Sequence, residues 1–290
     1  MQISTNKWKK LIIGSLCTGL VALLLTGCGT ASKAVKLCYV EWDSEVASTN
    51  VIGTVLEDMG YKVDLTPLDN AVMWQAVATG KSDGMVSAWL PSTHKPQYEE
   101  YGDKMVDLGS NLEGARVGLV VPDYMSANSI TDLTNEADKN ITGIEPGSGA
   151  VTKTEQALTE YANLQDWKVT ASSSGAMVTM LGKAIKEHQD IIITGWSPHW
   201  MFSTYKLKYL DDPKKTFGDK ENIHTMVRKG LEKDNPGAYK ILDNFHWTIE
   251  DVESVMIDIS NGETPKAAAR KWVDANTDKV AQWTKDVAKI

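Results

Sequence analysis

Ser87-Ala88-Trp89-Leu90-Pro91-Ser92-Thr93-His94-Lys95 has a distorted echo further along the chain, Gly195-Trp196-Ser197-Pro198-His199-Trp200. The same frame precedes both. Asp83 leads through Gly84-Met85-Val86 to Trp89 and Pro91, and Asp190 leads through Ile191-Ile192-Ile193-Thr194 to Trp196 and Pro198. Each reads Asp, five residues, Trp, one residue, Pro. The short apolar runs suit buried strands. The Trp-x-Pro that follows is expected to leave the sheet, because Pro restricts the residue before it and has no N–H for a ladder. Each Trp then stands at the carboxyl end of a strand, the edge at which open α/β sheets bind ligands. Two such Trp, one per half of the chain, imply a cleft with an aromatic wall on each side.

Working outward, residues 35–40 read as a strand, 45–59 as a helix stopped by Gly60, and 61–65 as a second strand. Residues 69–79 form a second predicted helix closed by Gly80, and 84–88 a third strand. The β-α-β-α-β order is that of a parallel sheet. It then repeats, with strands at 141–144, 167–170 and 191–194 and helices at 150–161 and 174–187. Tyr61-Lys62-Val63 matches Trp167-Lys168-Val169 at an offset of 106, and Trp89 matches Trp196 at 107. That offset sets Trp42, after the first strand, opposite Gly149 in the turn Glu145-Pro146-Gly147-Ser148-Gly149. Trp42, Gly149, Trp89 and Trp196 all fall on the ligand-binding edge of their sheets.

Two equal lobes are therefore expected. Residues 35–118 with 226–290 make lobe I, and 119–225 make lobe II. A strand at 114–121 running into Pro122 makes the first crossing, and a strand at 222–227 brings the chain back. A further strand is read at 205–210, and helices at 236–245, 248–258 and 265–287, the last broken near Asn276. Thr248-Ile249-Glu250-Asp251 fits a capping box, and Trp247, Trp272 and Trp283 read as packing residues of these helices.

The net charge of −8 argues against nucleic acid, which requires a basic face. Ten Trp against three Phe is lopsided, since Phe would serve a core as well, so some Trp serve another purpose. The first residues read as a targeting segment. Lys7, Lys9 and Lys10 precede an apolar run at 11–25, which ends in Leu25-Thr26-Gly27-Cys28. The pattern resembles a bacterial lipoprotein signal, with 1–27 removed, Cys28 lipidated and 28–34 a tether. Cleavage would take away three positive charges and no negative one, moving the net charge from −8 to about −11. Cys17 leaves with the signal, so Cys38 is alone and reads as a small buried residue. The mature chain is expected outside the cytoplasmic membrane, held on its outer face by lipid on Cys28.

Three Trp facing a cleft suit a cation without hydrogen-bond donors, such as a quaternary ammonium, since Trp faces attract diffuse positive charge. The plainer alternative is that Trp42, Trp89 and Trp196 only close the interface between lobes; their matched positions favour the cage. The free N–H groups of Gly149 and Ala150 at a helix start suit an anion. His94 can donate to the same anion, or simply cap the next helix. Together these groups describe a zwitterion with a quaternary ammonium at one end and a carboxylate at the other.

Tyr39-Val40-Glu41-Trp42-Asp43-Ser44-Glu45, Ala88 to Lys95, Gly143-Ile144-Glu145-Pro146-Gly147-Ser148-Gly149 and Gly195 to Trp200 resemble the substrate-binding proteins of glycine betaine ABC importers. The resemblance covers roughly residues 35–290. It implies an α/β, two-lobed, type II periplasmic-binding-protein-like fold with ligand in the inter-lobe cleft. It also implies a cage of Trp42, Trp89 and Trp196 for the trimethylammonium, with His94 and the amides of Gly149 and Ala150 for the carboxylate. The implied partner is the permease subunit of an ABC transporter. Glycine betaine or proline betaine is the expected ligand and osmoprotectant uptake the expected role, with no cofactor and no metal. Carnitine or choline is the alternative ligand, and a surface lipoprotein without transport the alternative role. No Gly-x-x-x-x-Gly-Lys-Ser/Thr loop, Gly-x-Ser-x-Gly elbow, His-Glu-x-x-His or paired Cys appears, so an enzyme is not expected.

Overall fold

The computed structural model describes residues 34–290. The expected signal peptide, the lipidation at Cys28 and the tether up to residue 33 lie outside the described residues. Ala34, expected to end the tether, already opens the first strand.

The first half runs β1 (Ala34–Tyr39), α1 (Asp43–Asp58), β2 (Lys62–Pro67), α2 (Asn70–Ala78), β3 (Gly84–Leu90) and α3 (Lys95–Tyr101). A long strand, β4 (Met105–Pro122), leads to β5 (Asn140–Gly143), α4 (Gly149–Glu160), β6 (Lys168–Ala171), α5 (Ser174–Lys186) and β7 (Ile192–Ser197). After α6 (Met201–Thr204), β8 (Leu207–Tyr209) and β9 (Glu221–Arg228) come α7 (Leu231–Asp234), α8 (Pro236–Asn244), α9 (Ile249–Ser260), α10 (Pro265–Ala275) and α11 (Thr277–Trp283).

The strands lie in the order β2-β1-β3-β9-β4-β7-β5-β6, with β8 on β4. The ends mirror each other. β1 pairs in parallel with β2 and β3, and β5 in parallel with β6 and β7. The repeat read from the sequence is thus a repeat of topology, joined through antiparallel β4 and β9. Exposure follows position: β3 is buried at every residue, whereas β2 and β6 alternate and carry Lys62 and Lys168 on the outer edges. A charged edge discourages pairing with another chain.

β4 belongs to both halves. Its residues Met105 to Ala115 pair with β9, and Arg116 to Val120 pair with β7. Only the second part was legible as a strand, because Gly109-Ser110-Asn111 lacks an apolar run and the ladder there is irregular. β9 pairs with β3 and β4 from Glu221 onward. A second correction concerns the Trp-x-Pro turns. Trp89 and Leu90 remain in β3, opposite Ile223 and Asn222, and Trp196 and Ser197 remain in β7, opposite Val117 and Arg116. The residue before Pro is driven toward extended backbone, which prolongs the strand; pairing stops at Pro91 and Pro198 themselves.

Caps set several boundaries. Gly60, at φ +96°, ends α1 where a Cβ would be strained. Thr248 and Asp251 form the expected capping box, and the C-terminal helix is broken at Asn276. There Trp272 and Trp283 stack at 5.5 Å, Trp247 meets Trp272 edge-on at 5.9 Å, and Phe245 fills the gap. These three Trp are packing residues, all buried. Cys38 is free and fully buried, which pushes its thiol up to about 11.

Candidate functional site

Trp42 caps α1 just past the end of β1, and Trp89 sits near the carboxyl end of β3. Across from them, Trp196 sits near the end of β7, and Gly149 and Ala150 open α4 after the β5 turn. With His94, which precedes α3, these residues line one cavity. Thr93, Val117, Ile144 and Ser148 complete its wall. All six expected site residues therefore meet in one place.

The three indoles are nearly shielded from solvent, at 6 %, 3 % and 4 % exposure for Trp42, Trp89 and Trp196. A cation among them would be desolvated, the condition under which each ring face contributes most, about 2 kcal/mol. Two of the indoles are held by carboxyl groups. Trp89 Nε1 donates to Glu45 Oε1 at 2.8 Å, and Trp42 Nε1 donates to Glu145. Trp196 Nε1 is buried without a protein partner.

His94 is oriented by its own loop. The Trp89 backbone N–H donates to His94 Nδ1 at 3.1 Å, and the His94 N–H returns to the Trp89 carbonyl at 2.9 Å. With Nδ1 accepting, the neutral ring carries its proton on Nε2. Burial keeps the ring neutral, holding its pKa down to about 3. Nε2 is buried and has no acceptor in the protein. The ring stacks on Trp42 at 5.9 Å, and Trp74 meets its edge at 5.8 Å. The loop itself is clamped by Glu221, whose carboxylate accepts from the N–H groups of Ser92 (3.1 Å) and Thr93 (3.0 Å) and from the Thr93 hydroxyl.

Ser148 caps α4 by accepting from Val151 N–H, which leaves the N–H groups of Gly149 and Ala150 at the open end of the helix. The glycine is required. A Cβ on Gly149 would stand 2.3 Å from Thr93 Cγ2 and 2.6 Å from the Thr93 carbonyl oxygen. That approach brings the turn before α4 in the second half against the His94 loop of the first. Asp43, the first residue of α1, makes further bonds across the same gap. It accepts from Trp200 Nε1 and Ser174 Oγ, both at 2.8 Å, and lies 3.4 Å from His199 Nε2. Burial opposes its ionisation, but His199, Trp200 and Ser174 outweigh that and hold the Asp43 carboxyl down to about 2.

Sequence reading missed Glu45, Asp43, Glu145 and Glu221. The first two lie in the quoted Glu41 to Glu45 stretch beside Trp42, where an acid next to a cage Trp was the available signal. Glu221 is far in sequence from the loop it holds, and nothing local marks it.

A buried aromatic box beside neutral, unpaired N–H donors, set between two halves of mirrored topology, defines a solute-binding receptor rather than an enzyme. Comparison with known proteins gives the family. The chain matches, over residues 33–275, the OpuAC family, the substrate binding domain of ABC-type glycine betaine transport systems, and belongs to it. It is 59 % identical to lactococcal OpuAC in its closed-liganded conformation with glycine betaine, covering 87 % of this chain and all of that one, at a TM-score of 0.86. A glycine betaine/L-proline-binding protein from Borrelia burgdorferi is 37 % identical over 88 % of this chain and 97 % of its own, at 0.85. A choline-binding protein in complex with choline is 27 % identical over 89 % and 93 %, at 0.83. The Listeria monocytogenes glycine betaine/carnitine transport binding protein is 48 % identical over 161 residues, 55 % of this chain and 53 % of that relative's length. The chain thus matches about half of that curated relative.

Proposed function

We propose that this chain is the extracytoplasmic receptor of an ABC importer that takes up glycine betaine, or proline betaine, as an osmoprotectant. Trp42, Trp89 and Trp196 hold the quaternary ammonium, and His94 Nε2–H with the N–H groups of Gly149 and Ala150 holds the carboxylate. The observation that carries this reading is the pairing, in one cavity, of three buried indoles with a neutral His whose Nε2–H has no acceptor. Choline has no carboxylate, so as ligand it would leave His94 and the helix end unpaired, and a buried unpaired donor costs about 1–3 kcal/mol. Support also comes from the relatives whose names carry glycine betaine.

The lobes are proposed to divide where the ladder changes partner, between Ala115 and Arg116 on β4, with the return complete by Glu221. The contacts of Asp43, Trp42 and Thr93 across the cleft are those of a closed receptor, the form that would dock on a permease. Lipid on Cys28 is proposed to keep the receptor at the outer face of the membrane. Calorimetric titration with glycine betaine, choline and glycine tests the ligand: saturable betaine binding, lost in Trp89→Ala and absent for glycine, is expected. Heat with choline or carnitine alone would keep a receptor and replace the ligand. Uptake of labelled betaine by cells with and without the chain tests transport; unchanged uptake would point to a surface lipoprotein without that role.

A further inference from the structure

Behind the cage lies a carboxyl group that no part of the carboxylate-binding side uses. Glu45, in the first turn of α1, is 1 % exposed. One oxygen accepts from Trp89 Nε1 at 2.8 Å, and the other is buried with no partner. No Lys, Arg or His pairs with it among the described residues. The other titratable groups around the cage are otherwise engaged: His94 from the β3–α3 loop with Trp89, Asp43 on the same helix with Trp200 and Ser174, and Glu145 from the second half with Trp42. An unpaired carboxyl at such a place is expensive unless a cation arrives near it. Its only hydrogen-bond partner among the described residues is the indole N–H of a ring that faces the cavity.

We propose that Glu45 is a positioning residue that supplies the cage with its countercharge from the N–H edge of Trp89, and so selects a cationic over an uncharged headgroup. This rests on the quaternary-ammonium reading above. Ionised, the carboxylate polarises the indole through its N–H, enriching the face that meets the cation, and attracts the cation from the edge of the ring. In this closed form without a cation, burial pushes the carboxyl up to about 8, so at neutral pH it is largely protonated. A cation on the face of Trp89 favours the ionised form. Binding therefore releases a proton from Glu45 to solvent, and affinity rises as pH rises toward the free-state value. A bound carboxylate acts on His94 with the opposite sign, but burial holds that ring's pKa down to about 3, so it stays neutral across the range in which Glu45 titrates.

The test compares glycine betaine with 3,3-dimethylbutanoate, which keeps the shape and carboxylate but replaces nitrogen by carbon. In the wild-type protein, betaine affinity should rise about tenfold between about pH 6 and about pH 9, and binding heats in phosphate and Tris should differ by the enthalpy of a released proton. The isostere should show neither effect. Glu45→Gln, which keeps an acceptor for Trp89, should bind betaine about tenfold more weakly at about pH 9, with a flat profile and no proton release, and should keep the isostere. Wild-type binding of betaine with no proton release, or a profile that Glu45→Gln leaves unchanged, would overturn the role of Glu45 while leaving the receptor intact. Failure of the wild type to bind any trimethylammonium compound would overturn the receptor reading itself. If Glu45→Gln does not fold, the proton count of the wild type decides alone.

Discussion

His94 shows how much a single side chain owes to its loop. The Trp89 N–H fixes its tautomer, Glu221 fixes the turn around it, and burial keeps it neutral. His94→Ala should weaken glycine betaine binding by about ten- to a hundredfold, the range for losing a hydrogen bond to a charged group, and leave choline nearly unaffected. Parallel titrations of the two ligands check this, and equal losses for both would place the carboxylate elsewhere. Glu45 carries a consequence for stability. Its folded pKa is raised, so its contribution is complete below the unfolded value and is lost as pH rises toward about 8. Glu45→Gln should therefore melt higher than the wild type near pH 8, with the difference shrinking as the pH is lowered toward the ordinary carboxylate range. Opposite effects on stability and ligand affinity are expected where a strained group serves binding.

At the scale of elements, the site is made where α1 and α4 begin. Gly149→Ala inserts a methyl group against the Thr93 backbone, which cannot yield as a flexible side-chain end would. It should leave folding intact and weaken betaine binding, because the two halves could no longer approach. Small-angle scattering should then show a molecule that does not contract on adding betaine. Asp43→Ala removes the acceptor shared by Trp200 and Ser174 and should speed ligand release more than it slows capture, which stopped-flow Trp fluorescence reads. The elements themselves were largely legible. Apolar runs ending in Trp-x-Pro marked β3 and β7, and Gly60 and the Thr248 box marked helix ends. The first part of β4 was not, because its glycine, serine and asparagine give no periodicity and its pairing depends on β9, over a hundred residues away.

At the scale of the molecule, the matched offsets gave two β-α-β-α-β repeats, which the structure arranges in the mirrored orders β2-β1-β3 and β6-β5-β7, with the six expected residues around one cavity. The acids behind and across the cage stayed hidden, since Trp42–Glu145, Asp43–Ser174 and Thr93–Glu221 join residues whose proximity exists only in the folded chain. Family membership fixes the receptor class, and the ligand's seat within the cavity is the central claim still to be measured. The most direct measurement is a crystal structure of the protein grown with glycine betaine. The trimethylammonium should lie among Trp42, Trp89 and Trp196, with the carboxylate on His94 Nε2 and the N–H groups of Gly149 and Ala150. A ligand in the reverse orientation, or seated outside this cavity, would contradict it.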